Sequence, residues 1–396
     1  MKKAADKLNR FSGSREFYII LYLILGLLAA LSVYAGIKNA YIFSQDFQYD
    51  AARALLGGYD PYDFSLEGMK SPDIEGLEEY YAYYESIDAP QKMEANQFPS
   101  LLYLLSPWCF FNARNARIVW LISNLVFTAM FIGLLRATFM KETELKNFAI
   151  FVFLMLSGTP WRNQLGVGQH TLFSAAFFLL AVYLSDKAGK KAYLSIPAGL
   201  CLAVSYFKYT VTVPIAVYFI YKRRWKELII SVIPHVILTG VAARVLNEPF
   251  IDMIIKPLKV ASKLSSQGSI DIGAVTGGGV ISMVITVLLM AGLIAFAFLC
   301  PDGNDTLVIS LGVLLANIMT YHRMYDFFIM IVVFAYFNNK RPSLQEALYS
   351  LVCCAVFFIP RVFNDAPAGL IMAAVPYYLF TVWMIREGIK QWKSYT

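Results

Sequence analysis

The sequence predicts an all-α polytopic membrane protein with about twelve transmembrane helices. Of the 396 residues, 58% are hydrophobic and 15% are charged, and the mean hydropathy is +0.55. Soluble domains carry roughly 25% charged residues, so this composition excludes that class. The apolar residues form continuous runs of about 15–20 rather than amphipathic stripes or short alternating segments, which favours spanning helices over a closed barrel.

The first element is a basic, polar segment at residues 1–16, followed by an apolar run. This run has no short h-region with a small-residue cleavage site, so we expect an uncleaved first helix rather than a signal peptide. The segment Ser100–Phe111 is apolar but too short to cross a bilayer, and we interpret it as interfacial. The predicted spans are residues 17–37, 117–136, 147–159, 171–186, 193–207, 209–221, 226–244, 280–300, 306–320, 326–337, 344–360 and 368–386.

The basic clusters set the orientation of these spans, because cytoplasmic loops are enriched in lysine and arginine. The clusters lie at residues 141–146, 186–191, 221–227, 338–342 and 386–393. We therefore expect a multi-pass protein of the plasma (inner) membrane with both termini in the cytoplasm. We expect a single integral membrane domain over residues 1–396, with a long extracytoplasmic loop at 38–116 that contains juxtamembrane helices, and the remaining transmembrane helices at 117–386.

The net charge and the cysteines exclude other classes. A formal charge of +7 is ordinary for a membrane protein with basic loops, and we expect no nucleic-acid partner. The five cysteines lie in or beside apolar runs and form neither a disulfide framework nor a metal-binding C-x-x-C pattern.

Four polar stretches fall at the extracytoplasmic ends of helices in this topology. They are SQDFQYD (44–50), PWRNQLGVGQH (160–170), YFKYT (206–210) and YHRMYDF (321–327). Ionisable residues at membrane depth are costly and usually functional. The sequence therefore predicts one site built from four distant stretches of chain.

The stretch SQDFQYD offers a candidate catalytic acid. Ser44 is expected to cap a short helix that starts near Gln45 and ends at Gly57–Gly58, with Asp46 in its first turn, where the helix dipole favours the ionised form. Asp50 lies one turn further on the same side. Two interpretations of Asp46 remain open: a carboxylate base near the membrane surface, or a capping or ion-paired acid in a solvated loop.

Lys208, within AVSYFKYTVTVP, has apolar residues on both sides. It either contacts the phosphate of an anionic lipid or extends to the membrane surface. Gln169 and His170 are expected at the start of a helix, where they either bind sugar hydroxyls or serve only as caps. Arg162 is a weaker candidate for binding the phosphate.

His322 is one of three histidines and is surrounded by Arg323, Tyr325 and Asp326, which favours contact with a substrate over a structural role. His235 lies in mid-span and is interpreted as structural. We expect no metal ion and no other cofactor, because no His/Cys cluster or H-E-x-x-H pattern is present, although carboxylate pairs such as Asp60 with Asp63 have suitable oxygen ligands. The acidic residues of the segment 64–97 are expected to form a solvated face.

The order of these motifs resembles a known family. A basic N-terminus and one helix precede DFQYDAARALLGGYDPY and NQFPSLLYLLSP, then a GQ opens a helix, a lysine ends the next one, KRRW follows, and an H-x-x-x-D stretch comes late. This pattern, over about residues 40–330, resembles family 87 of the C-type (GT-C) glycosyltransferases, which use polyprenol-phosphate-mannose. The sequence differs from the family in having His170 where Asn often follows GQ, and in a longer acidic loop at 64–97.

The resemblance implies a GT-C fold, an extracytoplasmic active site and inverting, metal-independent transfer of mannose from a polyprenyl-phosphate donor to a lipid or glycan acceptor. It assigns Asp46 as the catalytic base. The donor phosphate would be bound by Lys208, His322 and Arg162, and the sugar or acceptor by Gln169, His170, Asp50, Tyr325 and Asp326. Membrane lipids are the expected surroundings. The alternative is a transporter or flippase of lipid-linked sugars, although no internal repeat is evident.

Overall fold

Helices are the only regular secondary structure in the part of the chain that the structure describes. The computed structural model describes residues 14–68, 74, 76–89, 91–264, 270–338 and 367–393, and no strand is present among them. The predicted span 344–360 and the cysteines Cys353 and Cys354 lie outside the described residues. The prediction of an all-α fold is thus confirmed for the described part of the chain.

The first half of the chain begins with one long helix and continues with short ones. The loop predicted at 38–116 is largely helical, as expected for juxtamembrane segments. The helices are α1 (Arg15–Ile42), α2 (Tyr49–Leu56), α3 (Pro61–Glu67), α4 (Glu78–Ser86), α5 (Pro99–Tyr103), α6 (Ser106–Cys109), α7 (Ala113–Ala137), α8 (Leu145–Ser157) and α9 (Thr159–Val167).

The second half contains most of the remaining apolar helices. They are α10 (Thr171–Ala188), α11 (Ser195–Ser205), α12 (Tyr209–Ile215), α13 (Val217–Tyr221), α14 (Trp225–Leu246), α15 (Asp252–Leu264), α16 (Ile272–Thr276), α17 (Gly279–Leu299), α18 (Asp305–Met319), α19 (Phe334–Asn338) and α20 (Pro367–Lys393). Short 3₁₀ segments lie at Gln45–Phe47, Ala192–Leu194, Tyr206–Lys208 and Met324–Val333.

Six helical segments in the described part of the chain are long and apolar enough to cross a membrane. By length and composition alone they are α1, α7, α10, α14, α17 and the stretch Ala192–Ile215, although the chain changes direction within this last stretch, at Lys208. Three shorter apolar segments coincide approximately with the predicted spans 147–159, 306–320 and 326–337. They are Leu145–Ser157, Asp305–Met319 and Met324–Tyr336. The last predicted span, 368–386, falls within α20. The full count of twelve stays a prediction.

Residues 160–170, expected as a loop, are mostly helical. Gly158 ends α8, and Pro160 lies in the first turn of α9, where its missing N–H and fixed φ are tolerated. The helix α9 packs along the end of α1 at glycines: a Cβ on Gly36 would lie 3.2 Å from Leu165 Cδ2, and one on Gly166 would lie 3.0 Å from Asn39 Cβ. This close approach places Gln169, after α9, beside the residues that follow α1.

The chain changes direction at Lys208. This residue adopts φ −111° and ψ 65°, outside the helical region, and ends the 3₁₀ turn between α11 and α12. The hydroxyl of Thr212 donates to the carbonyl of Ser205 at 2.9 Å, a contact that a straight helix would not allow across seven residues. Two predicted spans, 193–207 and 209–221, thus form a hairpin with Lys208 at its tip.

The two ends of the bundle carry different groups. At one end, Lys222 Nζ lies 2.9 Å from Asp305 Oδ1, and the hydroxyl of Tyr221 donates to the carbonyl of Pro301. A Cβ on Gly189 would lie 3.9 Å from Arg224 Nη2, which adds the basic loop 186–191 to this end. The opposite end carries the loop that follows α1, the hairpin tip and the start of the 3₁₀ helix at Met324–Val333.

A second core lies beneath the loop that follows α1, separate from the core of the bundle. It is rich in aromatic side chains, including Phe47, Tyr49, Tyr80, Tyr84 and Trp120, all buried. The helix α4 supplies buried tyrosines to this core while Glu78, Glu79, Glu85 and Asp88 stay exposed. The acidic segment is thus an amphipathic helix whose outer face is the predicted solvated one. Asp73 and Glu75 lie outside the described residues.

Candidate active site

Asp46 lies in the 3₁₀ turn that connects α1 to α2. The residues on either side of this turn, Ser44 (φ 37°) and Gln48 (φ 62°), adopt left-handed backbone conformations that are uncommon for residues other than glycine. The expected helix from Gln45 is therefore wrong: α2 begins at Tyr49, and Ser44 forms no side-chain cap. Asp46 is partly exposed, whereas its neighbour Phe47 is buried.

The turn is held in place by aromatic side chains beneath it. The ring of Phe47 stacks on the indole of Trp120, with centroids 4.6 Å apart. The indole N–H of Trp120 donates to the carbonyl of Gly168 at 2.8 Å. The Nε2 of His170 lies 3.0 Å from the carbonyl oxygen of Phe47, and its ring stacks on Phe207. The backbone on both sides of Gln169 is thus tied to the backbone beside Asp46.

His170 acts in this arrangement as a neutral hydrogen-bond donor. Burial lowers the pKa of its imidazole to about 3, and the positive charge of Lys208 acts in the same direction. A neutral ring with its proton on Nε2 can donate to the Phe47 carbonyl. The side chain does not cap α10, contrary to expectation, although it does occupy the N-cap position.

Gln169 connects the acid and the amine of the site. Its Nε2 donates to Asp46 Oδ2 and to the hydroxyl of Tyr325, each at 3.0 Å. Its Oε1 accepts from Lys208 Nζ at 3.3 Å and from the backbone N–H of His170 at 3.2 Å. Because both ends of the amide are bound, Gln169 fixes the orientation of the Asp46 carboxylate relative to the Lys208 ammonium.

Lys208 also contacts a buried carboxylate. Its Nζ lies 3.4 Å from Asp326 Oδ2, and the side chain of Lys208 is 14% exposed while that of Asp326 is 1% exposed. Asp326 accepts a hydrogen bond from Thr171, and its Oδ2 lies 2.9 Å from His322 Nδ1. The other ring nitrogen of His322 lies 2.9 Å from Thr320 Oγ1. Asp326 thereby contacts both Lys208 and His322, which were predicted to bind the donor phosphate. Of the two, Lys208 is the partly exposed one.

The environment raises the pKa of Asp46 above its ordinary value of 3.8, and the cause is desolvation by the surrounding protein. Three groups oppose this effect: the hydrogen bond from Gln169 and the positive charges of Arg323 and Lys208. A carboxylate with increased proton affinity that remains partly accessible is suited to accept a proton from a substrate.

The structure brings together seven of the nine predicted site residues: Asp46, Gln169, His170, Lys208, His322, Tyr325 and Asp326. The other two form no hydrogen bond or ion pair with these seven in the described part of the chain. Asp50 is 5% exposed and accepts hydrogen bonds from the Tyr81 hydroxyl and the Ala51 N–H, both at 2.9 Å, so it joins α2 to α4. Arg162 lies in the first half of α9, whereas Gln169 follows the end of that helix.

Two charged groups beside Asp46 were not assigned from the sequence. The exposed Arg323 acts on the Asp46 carboxylate, and its position next to His322 was the signal that could have identified it. The carboxyl of Glu94, on the segment before α5, interacts with the charges of both Asp46 and Arg323. No sequence pattern distinguished Glu94 from the other acids of the long loop.

The best-placed group of carboxylates among the described residues is occupied by a lysine. Asp60, Asp63 and Glu248 come within metal-ligand distance of one another. Lys256 Nζ lies 2.6 Å from Asp60 Oδ2, 2.9 Å from Asp63 Oδ1 and 3.4 Å from Glu248 Oε1. This ammonium contacts all three carboxylates and ties α15 to α3.

Comparison with known proteins identifies the family. The model of glycosyltransferase family 87 matches residues 99–321, which is more than half of the chain. The chain belongs to glycosyltransferase family 87. The matched region of this family 87 protein contains Arg162, Gln169, His170 and Lys208 but neither Asp46 nor the segment from His322 to Asp326.

A more distant similarity links the chain to a second type of glycosyltransferase. It is 24% identical over 192 residues to the dolichyl-phosphooligosaccharide-protein glycotransferase 2 of Archaeoglobus fulgidus, a match that covers 48% of this chain and 30% of that protein. The chain therefore spans less than a third of the length of this relative. No solved structure matches the chain.

Proposed function

We propose that this family 87 protein transfers mannose from a polyprenyl-phosphate donor to a hydroxyl of a lipid or glycan acceptor, with inversion at the anomeric carbon. One observation carries the proposal: a partly exposed carboxylate and a lysine ammonium are bound to opposite ends of a single amide, that of Gln169. The pair combines the base that an acceptor hydroxyl needs with the cation that a departing phosphate needs.

In the proposed reaction, the acceptor oxygen forms a bond to the anomeric carbon while the bond from that carbon to the phosphate oxygen breaks. The electron pair of the broken bond leaves with polyprenyl phosphate. Asp46 takes the proton of the attacking hydroxyl, a role that contributes typically 10²–10⁴-fold to rate. Attack from the face opposite the leaving group inverts the configuration.

The departing phosphate gains negative charge that cations at the site would stabilise. Lys208 is the first candidate, because its ammonium lies beside Gln169 on the partly exposed side of Asp326. Arg323 is the second, since its charge acts on the same site and its side chain is exposed. With these two cations the proposed mechanism uses no metal ion.

The other predicted roles fit the structure to different degrees. The hydroxyl of Tyr325 lies 3.0 Å from Gln169 Nε2, which also donates to Asp46. Tyr325 is therefore placed to contact a sugar that is bound beside Asp46. His322 has both ring nitrogens beside protein groups, so we assign it to positioning Asp326 and thereby Lys208. The predicted substrate contacts of Arg162 and Asp50 stay predictions, because neither residue is hydrogen-bonded or ion-paired to Asp46, Gln169 or Lys208.

Incubation of the purified protein with polyprenyl-phosphate-mannose and a panel of lipid and glycan acceptors tests the proposal. We expect release of polyprenyl phosphate that depends on the acceptor and continues in the presence of EDTA. The configuration of the product, determined by NMR, should be opposite to that of the donor. Movement of the intact donor across proteoliposomes without bond cleavage would instead identify a transporter.

A further inference from the structure

A cavity separate from the candidate active site lies where the first two spanning helices meet. Its volume is about 290 Å³, near the lower limit for small-molecule sites. It lies between the last turn of α1 and the first turn of α7, with α4 on its outer side. The lining residues are Tyr41, Glu79, Tyr80, Tyr83, Ala113, Arg114, Arg117 and Ile118.

Two guanidinium groups line this cavity without an acidic partner. Arg117 is 6% exposed, donates to the carbonyl of Ile42 at 3.1 Å, and lies 3.6 Å from the centroid of the Tyr83 ring. Arg114 is exposed. Neither arginine forms an ion pair with any residue that the structure describes. A buried charge at a membrane boundary is costly without a counter-ion, so an anion from outside the chain is expected here.

Apolar surface leads from the cavity along both helices. On α7, Arg114, Ile118 and Ile122 follow one another at four-residue spacing, so they share one face, and Ile122 is 56% exposed. On α1, Tyr41, Tyr34 and Leu27 recur at seven-residue spacing and are also exposed. A ligand that fits this surface has an anionic head for the arginines and hydrocarbon chains for the two stripes.

We infer that this cavity binds the phosphate head group of a membrane glycerophospholipid whose acyl chains lie along α1 and α7. Arginine matches phosphate oxygens with two parallel N–H groups, which favours a phosphate as the anionic head. The exposed Glu79 at the rim does not neutralise the cavity, because the two arginines outnumber it.

The site is connected to Asp46 through the backbone. The hydroxyl of Tyr83 donates to the carbonyl of Ile42 at 2.9 Å, and that of Tyr84 donates to the carbonyl of Phe43. These carbonyls directly precede the turn that carries Asp46. A lipid bound beside Tyr83 and Arg117 therefore stabilises the entry into that turn. This role is independent of the identity of the sugar donor.

Native mass spectrometry tests the inference. The full chain, solubilised in detergent, is mixed with increasing concentrations of phosphatidylglycerol and then released from the detergent in the spectrometer. We expect a saturable lipid-bound peak, and an apparent affinity about tenfold weaker in Arg114→Ala, because one charge-assisted contact is lost. Arg114 is exposed, so this variant should fold. The matched control is Arg244→Ala, which removes another exposed arginine at the same end of the bundle.

Three results would overturn the inference. Equal binding by Arg114→Ala and the control would exclude the cavity as the site. Equal binding of diacylglycerol, which lacks the phosphate, would exclude recognition of the head group. Displacement of the lipid by millimolar inorganic phosphate or glycerol phosphate would show that the cavity takes a soluble anion rather than a lipid. The assay measures binding alone, so its failure is distinguishable from failure of the proposed transferase activity.

Discussion

At the scale of single residues, Asp46 is the side chain on which the proposed chemistry depends. We expect Asp46→Asn to lower kcat by about 10²–10⁴-fold, because the amide cannot accept the proton of the acceptor hydroxyl. The asparagine oxygen can still accept the hydrogen bond from Gln169 Nε2, so the site should keep its shape. Single-turnover transfer with labelled donor measures the effect.

Two controls separate loss of the base from loss of the fold. The thermal unfolding midpoint of Asp46→Asn in detergent and its affinity for the donor should stay close to those of the wild type. Near-normal turnover in this variant would refute the assignment of Asp46 as the base. Loss of donor binding together with turnover would indicate a structural role instead.

The charge of Arg323 should be visible in the pH profile. Asp46 must be deprotonated to act, so kcat/KM falls as pH decreases through its pKa, which burial raises above 3.8. Arg323 opposes this rise because its positive charge favours the carboxylate. In Arg323→Gln the pKa of Asp46 therefore increases further, and the acid limb of the profile moves to higher pH.

The matched control for this shift is Arg244→Gln, which removes an exposed arginine on α14 whose charge is not among those that act on Asp46. Its acid limb should coincide with that of the wild type. A limb that stays in place in Arg323→Gln, or moves to lower pH, would contradict the assignment of this limb to Asp46.

At the scale of elements, the turn after α9 packs against the turn after α1 and fixes its position. Gly168 has φ 74°, and a Cβ added there would lie 3.1 Å from the Cα of Ser44. We expect Gly168→Ala to cost about 1–3 kcal/mol of stability through backbone strain. It should also lower kcat about tenfold to a hundredfold, because the Asp46 turn must move. Thermal unfolding and steady-state kinetics measure the two effects.

The control for this substitution is Gly133→Ala in α7, where an added Cβ has no heavy atom within 4 Å. Alanine favours helix over glycine by about 1 kcal/mol, so this variant should be at least as stable as the wild type and equally active. If Gly168→Ala behaved like Gly133→Ala, the two turns would not be mechanically connected.

Asp50 should make the attachment of α2 to α4 dependent on pH. Burial raises its pKa to about 6 from 3.8, although the hydrogen bonds from Tyr81 and Ala51 oppose this. The folded state therefore binds the Asp50 proton more tightly than the unfolded state does. As a result, the free energy of unfolding decreases as pH rises from about 4 to about 6. The difference of about two pH units corresponds to about 3 kcal/mol.

We expect Asp50→Asn to have a higher unfolding midpoint than the wild type at pH 7.5, and the difference to disappear near pH 4. Asparagine avoids the burial of a charge and can still accept the Tyr81 hydrogen bond. Unfolding scans at a series of pH values measure the effect. A variant that is destabilised equally at every pH would indicate that only the hydrogen bond matters.

The sequence predicts elements better than it predicts turns. Long apolar runs such as those of α1 and α7 are recognisable because hydrocarbon requires about twenty apolar residues. The turn at Asp46 was not predictable, because Ser44 and Gln48 favour a helix start by type and adopt left-handed backbone only under tertiary packing. The burial of Asp50 likewise depends on Tyr81, which is 31 residues away in the chain.

That the site residues share one end of the bundle was predictable from the predicted topology alone. Alternate ends of successive spans lie on the same side of a membrane, so Asp46, Gln169, Lys208 and Asp326 had to share an end. Which atoms make contact was not predictable. The central position of Gln169 depends on the close approach of α9 to α1 at Gly36 and Gly166, a packing detail that one sequence does not reveal.

At the scale of the whole molecule, the two ends of the bundle should lie on opposite sides of the membrane. The end with Lys222 and Asp305 carries basic loops, including 186–191, whereas Asp46 and Glu94 lie at the other end. By the positive-inside rule, the basic end faces the cytoplasm. Two single-cysteine variants, Glu94→Cys and Lys190→Cys, test this in a background without the native cysteines, since both side chains are exposed.

A membrane-impermeant maleimide should label Glu94→Cys in intact cells and Lys190→Cys only after permeabilisation. Each variant serves as the control for the other, because both carry one exposed thiol on the same background. The reverse pattern would place the Asp46 end in the cytoplasm. The proposed donor would then have to present its sugar to the inner leaflet, and the base and the lysine would act there. Labelling of both thiols in intact cells would contradict the prediction that the two ends of the bundle lie on opposite sides of the membrane.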